Sequence, residues 1–537
     1  MFAWNFGDIL DGVSAVMPPE APALIHGNRM IRWGEATARS NRLARAMIAR
    51  GAKPGDKVAF YMHNRPEYTE TLAACLKARL VHVNVNYRYT PDEVHYIFDN
   101  SDAQTVVYGE EFIHNIELIR SRLTTVQTYI EVGAGCDFAE SFEDLCDGGD
   151  PSPLGIERSP DDLFFIYTGG TTGMPKGVMW AHNDMRQITL AGLRALGPVP
   201  ETLDDLVAAA RVTGPGPSSV IGPPLMHGTG LLTAMGGLLG GGAVITLPSL
   251  HFSAEEMLDA IDRWKPANVT IVGDPFARPL AEALEREPGR WDVSSVQRIT
   301  SSGVMWSLEV KRTLLRHMPQ AALADAFSSS EALGLGTSVM TAAGEVQTAK
   351  FMLGDRARVF DEHDRPVAPG SGVRGMVAVG PPNPVGYYKD PEKTARTFRM
   401  IDGVRYSIPG DWCVVEADGS LTLLGRGNAC INTAGEKVFP EEVEEALKTH
   451  PDVEDALVIG LPDPKWGQSV TGVVRLYRGK SLDEGALIVH VRQTLAAYKS
   501  PKRIVTGEVN LRAPNGKADY KSATSFAAEA LKTVEVA

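Results

Sequence analysis

The sequence predicts an α/β protein, with a large N-terminal domain of parallel or mixed sheets covered by helices and a small C-terminal α+β domain. Three observations carry this. At 537 residues the chain is longer than one hydrophobic core supports, so at least two domains are expected. Apolar strand-like runs alternate with helical stretches through much of its length. Near residue 425 the pattern gives way to a shorter unit with its own strand, glycine-bearing loop and helix.

The alternation begins at "KVAFYMHN" (57–64), a strand, followed by the helical "EYTETLAACLKARL" and a second strand in "VHVNVNY". The helical "TPDEVHYIFDNS" then leads to the strand "AQTVVYG". The same β-α-β rhythm returns at "ANVTIVGD" (267–274) and "VQRITSSG" (296–303). "VTGPGPSSVIGPPLMHG" (212–228), rich in proline and glycine, reads as a long loop leading to a buried element. In the last part, a helix is expected after Pro440, with Glu441 and Glu442 beside the positive end of its dipole. "DVEDALVIGLPD" and "SVTGVVRLYRG" follow, completing a unit of ordinary domain size. The expected domains are therefore 1–427 and 428–537.

Composition excludes several classes of partner. A net charge of −13 argues against nucleic acid or an anionic membrane surface. Gly228 to Leu247 is uncharged and long enough to cross a bilayer, but Gly236, Gly237 and Gly240 to Gly242 interrupt it. A short buried helix, a glycine turn and a buried strand fit better, so no membrane span is expected. The five cysteines are scattered without a CxxC pair, and the start of the chain carries Asp8 and Asp11 and lacks a basic n-region. Both fit a cytoplasmic protein with reduced thiols.

The stretch "YTGGTTGMPKGVMW" (167–180) carries the chemistry. Glycines such as Gly170 let the backbone approach a ligand closely and aim several N–H groups at one point. Thr168, Thr171 and Thr172 add hydroxyl donors, and Lys176 supplies a mobile charge suited to phosphate oxygens. The pattern is an anion cradle. It is not a Walker A loop, because no GK[ST] follows the required spacing.

This stretch resembles the phosphate loop of the adenylate-forming superfamily, which includes acyl-CoA synthetases, luciferases and peptide-synthetase adenylation domains. Gly169 stands where serine is usual. Further motifs follow in the family's order. "PPLMHGTG" (223–230) resembles the segment beside the acyl carboxylate, which makes His227 a candidate for holding that group. "SSGVM" (301–305), with Ser302 and Gly303, occupies the place of a turn that touches adenine and the acyl chain. "DAFSSSE" (325–331) resembles "GYGxTE". The resemblance implies that Phe327 stacks on adenine, that Ser330 meets phosphate, and that Glu331 ligates Mg2+ together with Thr168. Asp325 and Ser328 are expected at the nucleotide in the same segment.

"YSIPGDWCVVEADGSLTLLGR" (406–426) matches the motif whose aspartate holds the ribose, here Asp411, with Arg426 reaching ribose or phosphate. Pro409 replaces the usual threonine. The family's hinge position falls on Ala429, and "AGEKVFP" (434–440) resembles the pantetheine-tunnel loop, giving Gly435 and Glu436. "PNGKADY" (514–520) resembles the closing "PxGKxxR" motif, with Lys517 as the catalytic lysine and Tyr520 in place of arginine.

The resemblance implies an acyl-CoA synthetase using ATP, Mg2+ and coenzyme A, with a small mobile domain that rotates between two half-reactions. The wording of the motifs looks like the bacterial branch acting on fatty acids and steroid side-chain acids, and the lining segments lack a charged anchor, which fits a bulky apolar acid. An aryl-CoA ligase, a luciferase-like enzyme, a carrier-protein acceptor and a non-catalytic nucleotide-binding regulator are the alternatives. A homodimer is compatible with the family.

Overall fold

The computed structural model describes residues 2–168, 174–194, 197–304, 306–344, 350–426, 431–433, 436–463, 467–495, 497–513 and 518–535, with main chain alone at 426, 432, 436, 437, 467, 494 and 533–535. Its contacts divide into two compact units, Met1–Thr348 with Val379–Ser407, and Ala349–Ala378 with Ile408–Ala537.

The first unit holds two parallel sheets. One runs Val81–Asn84, Lys57–Tyr61, Ala103–Gly109, Thr128–Val132, Glu140–Ser141, parallel throughout. The other runs from Pro22–His26 through Val244–Thr246, Ser219–Ile221, Asn268–Ile271 and Arg298–Ser302 to Ala322–Ser329, again parallel. Antiparallel strands Arg29–Arg32 and Ala332–Met340 flank it. The runs at 57–64, 81–87, 103–109, 267–274 and 296–303 thus form strands as their apolar, β-branched composition requires. The proline- and glycine-rich stretch 212–228 differs from expectation. It contains a fully buried central strand, Ser219–Ile221, too short for its composition to register.

The helix Pro66–Ala78 is buried along its whole length, the state of a helix covered on all sides. Its charged residues are therefore paired: Glu70 with Arg39, Glu67 with Arg29 and Arg65, and Lys77 with Asn41 and Asp11. Gly228–Leu247 resolves into the helix Gly228–Leu239, a turn and the strand Val244–Thr246. Among the described residues no helix is long and apolar enough to cross a membrane.

In the second unit, Val453–Asp463 and Gly467–Leu476 form a long antiparallel pair, extended by Ile431–Thr433, Glu436–Val438 and Arg503–Thr506. Against it packs the helix Pro440–Lys448, opened by proline and acidic residues as expected. A second group of antiparallel strands includes Asp411–Val415 and Ser420–Arg426.

Candidate active site

The strand Leu163–Thr168 turns back as Lys176–Ala181, with Thr168 opposite Lys176 in the register. Thr168 and Lys176 thus stand at the two feet of the glycine-rich loop. Gly170, Thr171 and Thr172 lie outside the described residues, as do Ala429, Gly435 and Lys517.

The free edge of this hairpin is fastened by side chains. From the edge strand Val81–Asn84, alternate residues His82 and Asn84 reach across, as strand geometry dictates. His82 Nδ1 lies 3.1 Å from the Phe165 carbonyl. Asn84 Nδ2 donates to the Tyr167 carbonyl at 2.8 Å and to the Met226 carbonyl at 2.7 Å, and its Oδ1 accepts from Tyr167 N–H at 2.7 Å. One buried carboxamide therefore joins the strand Leu163–Thr168 to Met226 of the "PPLMHGTG" segment, next to His227, the residue before the helix Gly228–Leu239. Asn84 carries no motif signal, since an asparagine ending an apolar strand looks like a turn residue.

Three further contacts fix the Ser330–Glu331 turn beside this hairpin. The buried Trp180 indole donates to the Ser330 carbonyl at 2.9 Å. Tyr387 donates its phenol hydrogen to Glu331 Oε1 at 2.7 Å, and Ser407 donates to the Glu331 carbonyl at 2.6 Å. Lys176 Nζ donates to Asp390 Oδ2 at 2.6 Å. That hydrogen bond holds the Lys176 ammonium above its ordinary range, and the same bond pulls the Asp390 carboxyl below its own. Tyr387 and Asp390 were missed because they lie far from every motif in sequence.

The "DAFSSSE" segment is strand to Ser329 and turn at Ser330 and Glu331: Ala322–Ser329 pairs with Ala332–Met340, and Phe327 lies opposite Gly336. Ser328 Oγ accepts from Gly334 N–H at 3.1 Å. On the neighbouring parallel strand, Ser302 donates to the Ala326 carbonyl at 2.8 Å, fixing the two expected adenine-contacting segments against each other. Gly303 follows with φ +90°, a left-handed value that a side chain would strain. Asp325 is buried and paired with Lys311, whose ammonium also lies 5.3 Å from the centre of the Trp306 ring. Burial raises the Asp325 carboxyl despite that lysine. Its carboxylate serves an internal ion pair, a partner invisible in sequence because Lys311 sits on an otherwise amphipathic helix, Leu308–His317.

In the second unit, Asp411 is buried and directly opposite Arg426 in the antiparallel register. Gly425 adopts φ +110°, and a Cβ there would meet the Glu441 carboxylate. The left-handed φ is what favours glycine before Arg426, since the Glu441 carboxylate is the end of a flexible side chain.

Glu331 and the Thr168 hydroxyl offer only hard oxygen donors, which suits Mg2+ and not a soft metal. Among the described residues no cluster of three or more His, Cys, Asp or Glu forms a closed metal cage. An ion held by one carboxylate and completed by phosphate oxygens is consistent with that.

Comparison with known proteins follows the same lines. The chain is 38% identical over 533 residues to a medium/long-chain-fatty-acid–CoA/3-oxocholest-4-en-26-oate–CoA ligase of Mycobacterium marinum, covering 97% of this chain and 96% of the relative. It is 37% identical over 535 residues to a 3-oxocholest-4-en-26-oate–CoA ligase of Rhodococcus rhodochrous, covering 97% and 95%. Its fold matches the crystal structure of ATP-bound MatB from Rhodopseudomonas palustris with a TM-score of 0.81, at 24% identity, over 97% of this chain and 99% of the other. The profile of AMP-binding enzymes matches residues 13–388, and that of the AMP-binding enzyme C-terminal domain matches 442–517. The chain belongs to the AMP-binding enzyme family.

Proposed function

We propose that this chain is an ATP-dependent acyl-CoA synthetase acting on a bulky apolar carboxylic acid, either a steroid side-chain acid or a medium- or long-chain fatty acid. The observation that carries the reading is the hairpin that brings Thr168 opposite Lys176, beside which Trp180 and Tyr387 hold the Ser330–Glu331 turn and Asp390 holds Lys176. The substrate class rests on the names of relatives 37–38% identical along the whole chain, and on the uncharged helix Gly228–Leu239 beside His227.

A carboxylate resists nucleophiles because it is anionic and its leaving group is poor. Transfer of AMP from ATP gives an acyl-adenylate and pyrophosphate, and the thiol of coenzyme A then displaces AMP. The protein's task is to hold two anions in contact. In this reading the glycine-threonine loop and Lys176 bind the phosphates, while Ser302, Gly303, Phe327, Ser328 and Ser330 border the base and phosphates. Asp411 and Arg426 take the ribose, and His227 orients the acid. Mg2+, when bound by Glu331 and Thr168, supplies positive charge against the phosphate oxygens. Lys517 pairs with the acid carboxylate and the α-phosphate, and rotation about the 427/428 boundary near Ala429 replaces it with Gly435 and Glu436 at the thiol channel.

Release of pyrophosphate and AMP across a panel of steroid side-chain, fatty and aromatic acids, with and without coenzyme A, tests the assignment. AMP and thioester formation that requires coenzyme A is the expected result. Pyrophosphate exchange without thioester would point to another acceptor, and absence of turnover with every acid would remove the reading.

A further inference from the structure

The segment 385–397 belongs to none of the motifs above, yet its side chains reach the two charged residues on which nucleotide binding depends. Its place is set by main chain. Val385 N–H donates to the Met179 carbonyl and Tyr388 N–H to the Gly177 carbonyl, each at 2.8 Å, so that Gly386–Tyr387 forms a third strand beside Lys176–Ala181. Strand alternation then separates the two tyrosines. Tyr387 donates to Glu331, while Tyr388 donates to Asp102 at 2.8 Å and packs on Phe165. Beyond them Asp390 uses one oxygen to accept from Lys393 N–H at 2.9 Å, opening the helix Pro391–Thr397, and the other to accept from Lys176.

Without partners, a lysine on the hairpin and a carboxylate in the turn beside it would be free to wander among rotamers. Here each has a separate partner on one rigid segment. The two partners differ in kind. The Tyr387 phenol is neutral and directs the Glu331 carboxylate without cancelling its charge. Asp390 is an anion, so it competes with phosphate for Lys176 and repels an incoming polyphosphate. The Lys176 side chain is 31% exposed and that of Asp390 19%, so the pair is partly screened and within reach of displacement.

We propose that Tyr387 and Asp390 are positioning residues for nucleotide binding: Tyr387 orients Glu331 toward the metal, and Asp390 is a built-in competitor that holds Lys176 until triphosphate displaces it and takes it back as pyrophosphate leaves. The proposal rests on the reading that this chain binds ATP with Mg2+.

Calorimetric titration of the full chain with ATP over a series of Mg2+ concentrations tests it, alongside thermal unfolding without ligand. Asp390→Asn keeps the helix cap but frees Lys176, and its ATP Kd is expected to fall about 2–5-fold, the range of a partly exposed ion pair. Tyr387→Phe is expected to raise the Mg2+ concentration needed for half-maximal ATP binding about tenfold, as loss of a carboxylate's outer hydrogen bond does. Tyr388→Phe, which loses the Asp102 contact but keeps the strand, is expected to change neither quantity. If the segment is only scaffolding, all three variants will lower the unfolding temperature and weaken ATP binding together, which overturns the proposal. So does an Asp390→Asn Kd equal to or higher than that of the parent. Failure of the parent chain itself to bind ATP would overturn the functional reading as well, and so is distinguishable.

Discussion

Asn84→Ala isolates the joint that holds the phosphate-loop strand. The substitution removes three hydrogen bonds at a position only 4% exposed, leaving the Tyr167 N–H, the Tyr167 carbonyl and the Met226 carbonyl without those partners. A buried polar group deprived of its bond costs about 1–3 kcal/mol, so three at the low end give about 3 kcal/mol. Water entering the vacated space reduces this, and loss of packing adds to it. The assay is urea denaturation of the first unit's transition, with the midpoint shift multiplied by the slope. ATP binding is measured on the same samples below the transition, where it should weaken because Thr168 and Lys176 lose a fixed base. A destabilisation under about 1 kcal/mol would refute the reasoning, since it would mean the joint is solvated or dispensable. Loss of stability with unchanged ATP affinity would show that the strand holds its position without the carboxamide.

Lys311→Met should destabilise the fold by about 3–5 kcal/mol, because it strands the buried Asp325 carboxylate, whereas Lys311→Met with Asp325→Leu should recover most of that loss in denaturant melts. Near-normal ATP affinity in the double variant is expected if Asp325 serves the ion pair and not the nucleotide. The Glu70 carboxyl is pushed up to about 6 by burial, against an ordinary value of 4.5, so the folded state binds its proton more tightly than the unfolded state. Its contribution is therefore fully present below about 4.5 and is lost as pH rises through 6. Glu70→Gln should flatten that part of the stability profile measured by pH-dependent melting. Lys517→Ala should lower pyrophosphate formation by two orders of magnitude or more, while transfer from supplied acyl-adenylate to coenzyme A is largely retained, about the effect of removing one charge-stabilising donor. Equal loss in both half-reactions would count against a role confined to adenylation.

Much of the fold was legible because parallel strands buried on both faces must be continuous runs of Val, Ile and Phe, as in "KVAFY" and "AQTVVYG". Ser219–Ile221 escaped because its neighbours are the prolines and glycines of the surrounding turns. In the candidate site, Thr168, Lys176, Ser330 and Glu331 were readable as loop chemistry. Their holders were not. Asn84, Lys311, Tyr387 and Asp390 act through geometry between distant segments, and each has residue chemistry that a local window assigns to a turn, a helix face or a strand.

The side-chain fastening by His82 and Asn84 also bears on assembly. Among the described residues, the sheet from Lys57 to Ser141 is contiguous in sequence and its strands pair only with one another, so it can form before the hairpin Leu163–Ala181 docks. When the hairpin arrives, two polar residues at alternate positions decide its register. A slip of the hairpin by one residue would carry the carbonyls of Phe165 and Tyr167 away from His82 and Asn84 and leave them unmatched in a dry layer. The joint therefore favours one register of the hairpin over its neighbours, and with it the places of Thr168 and Lys176 at the hairpin's end.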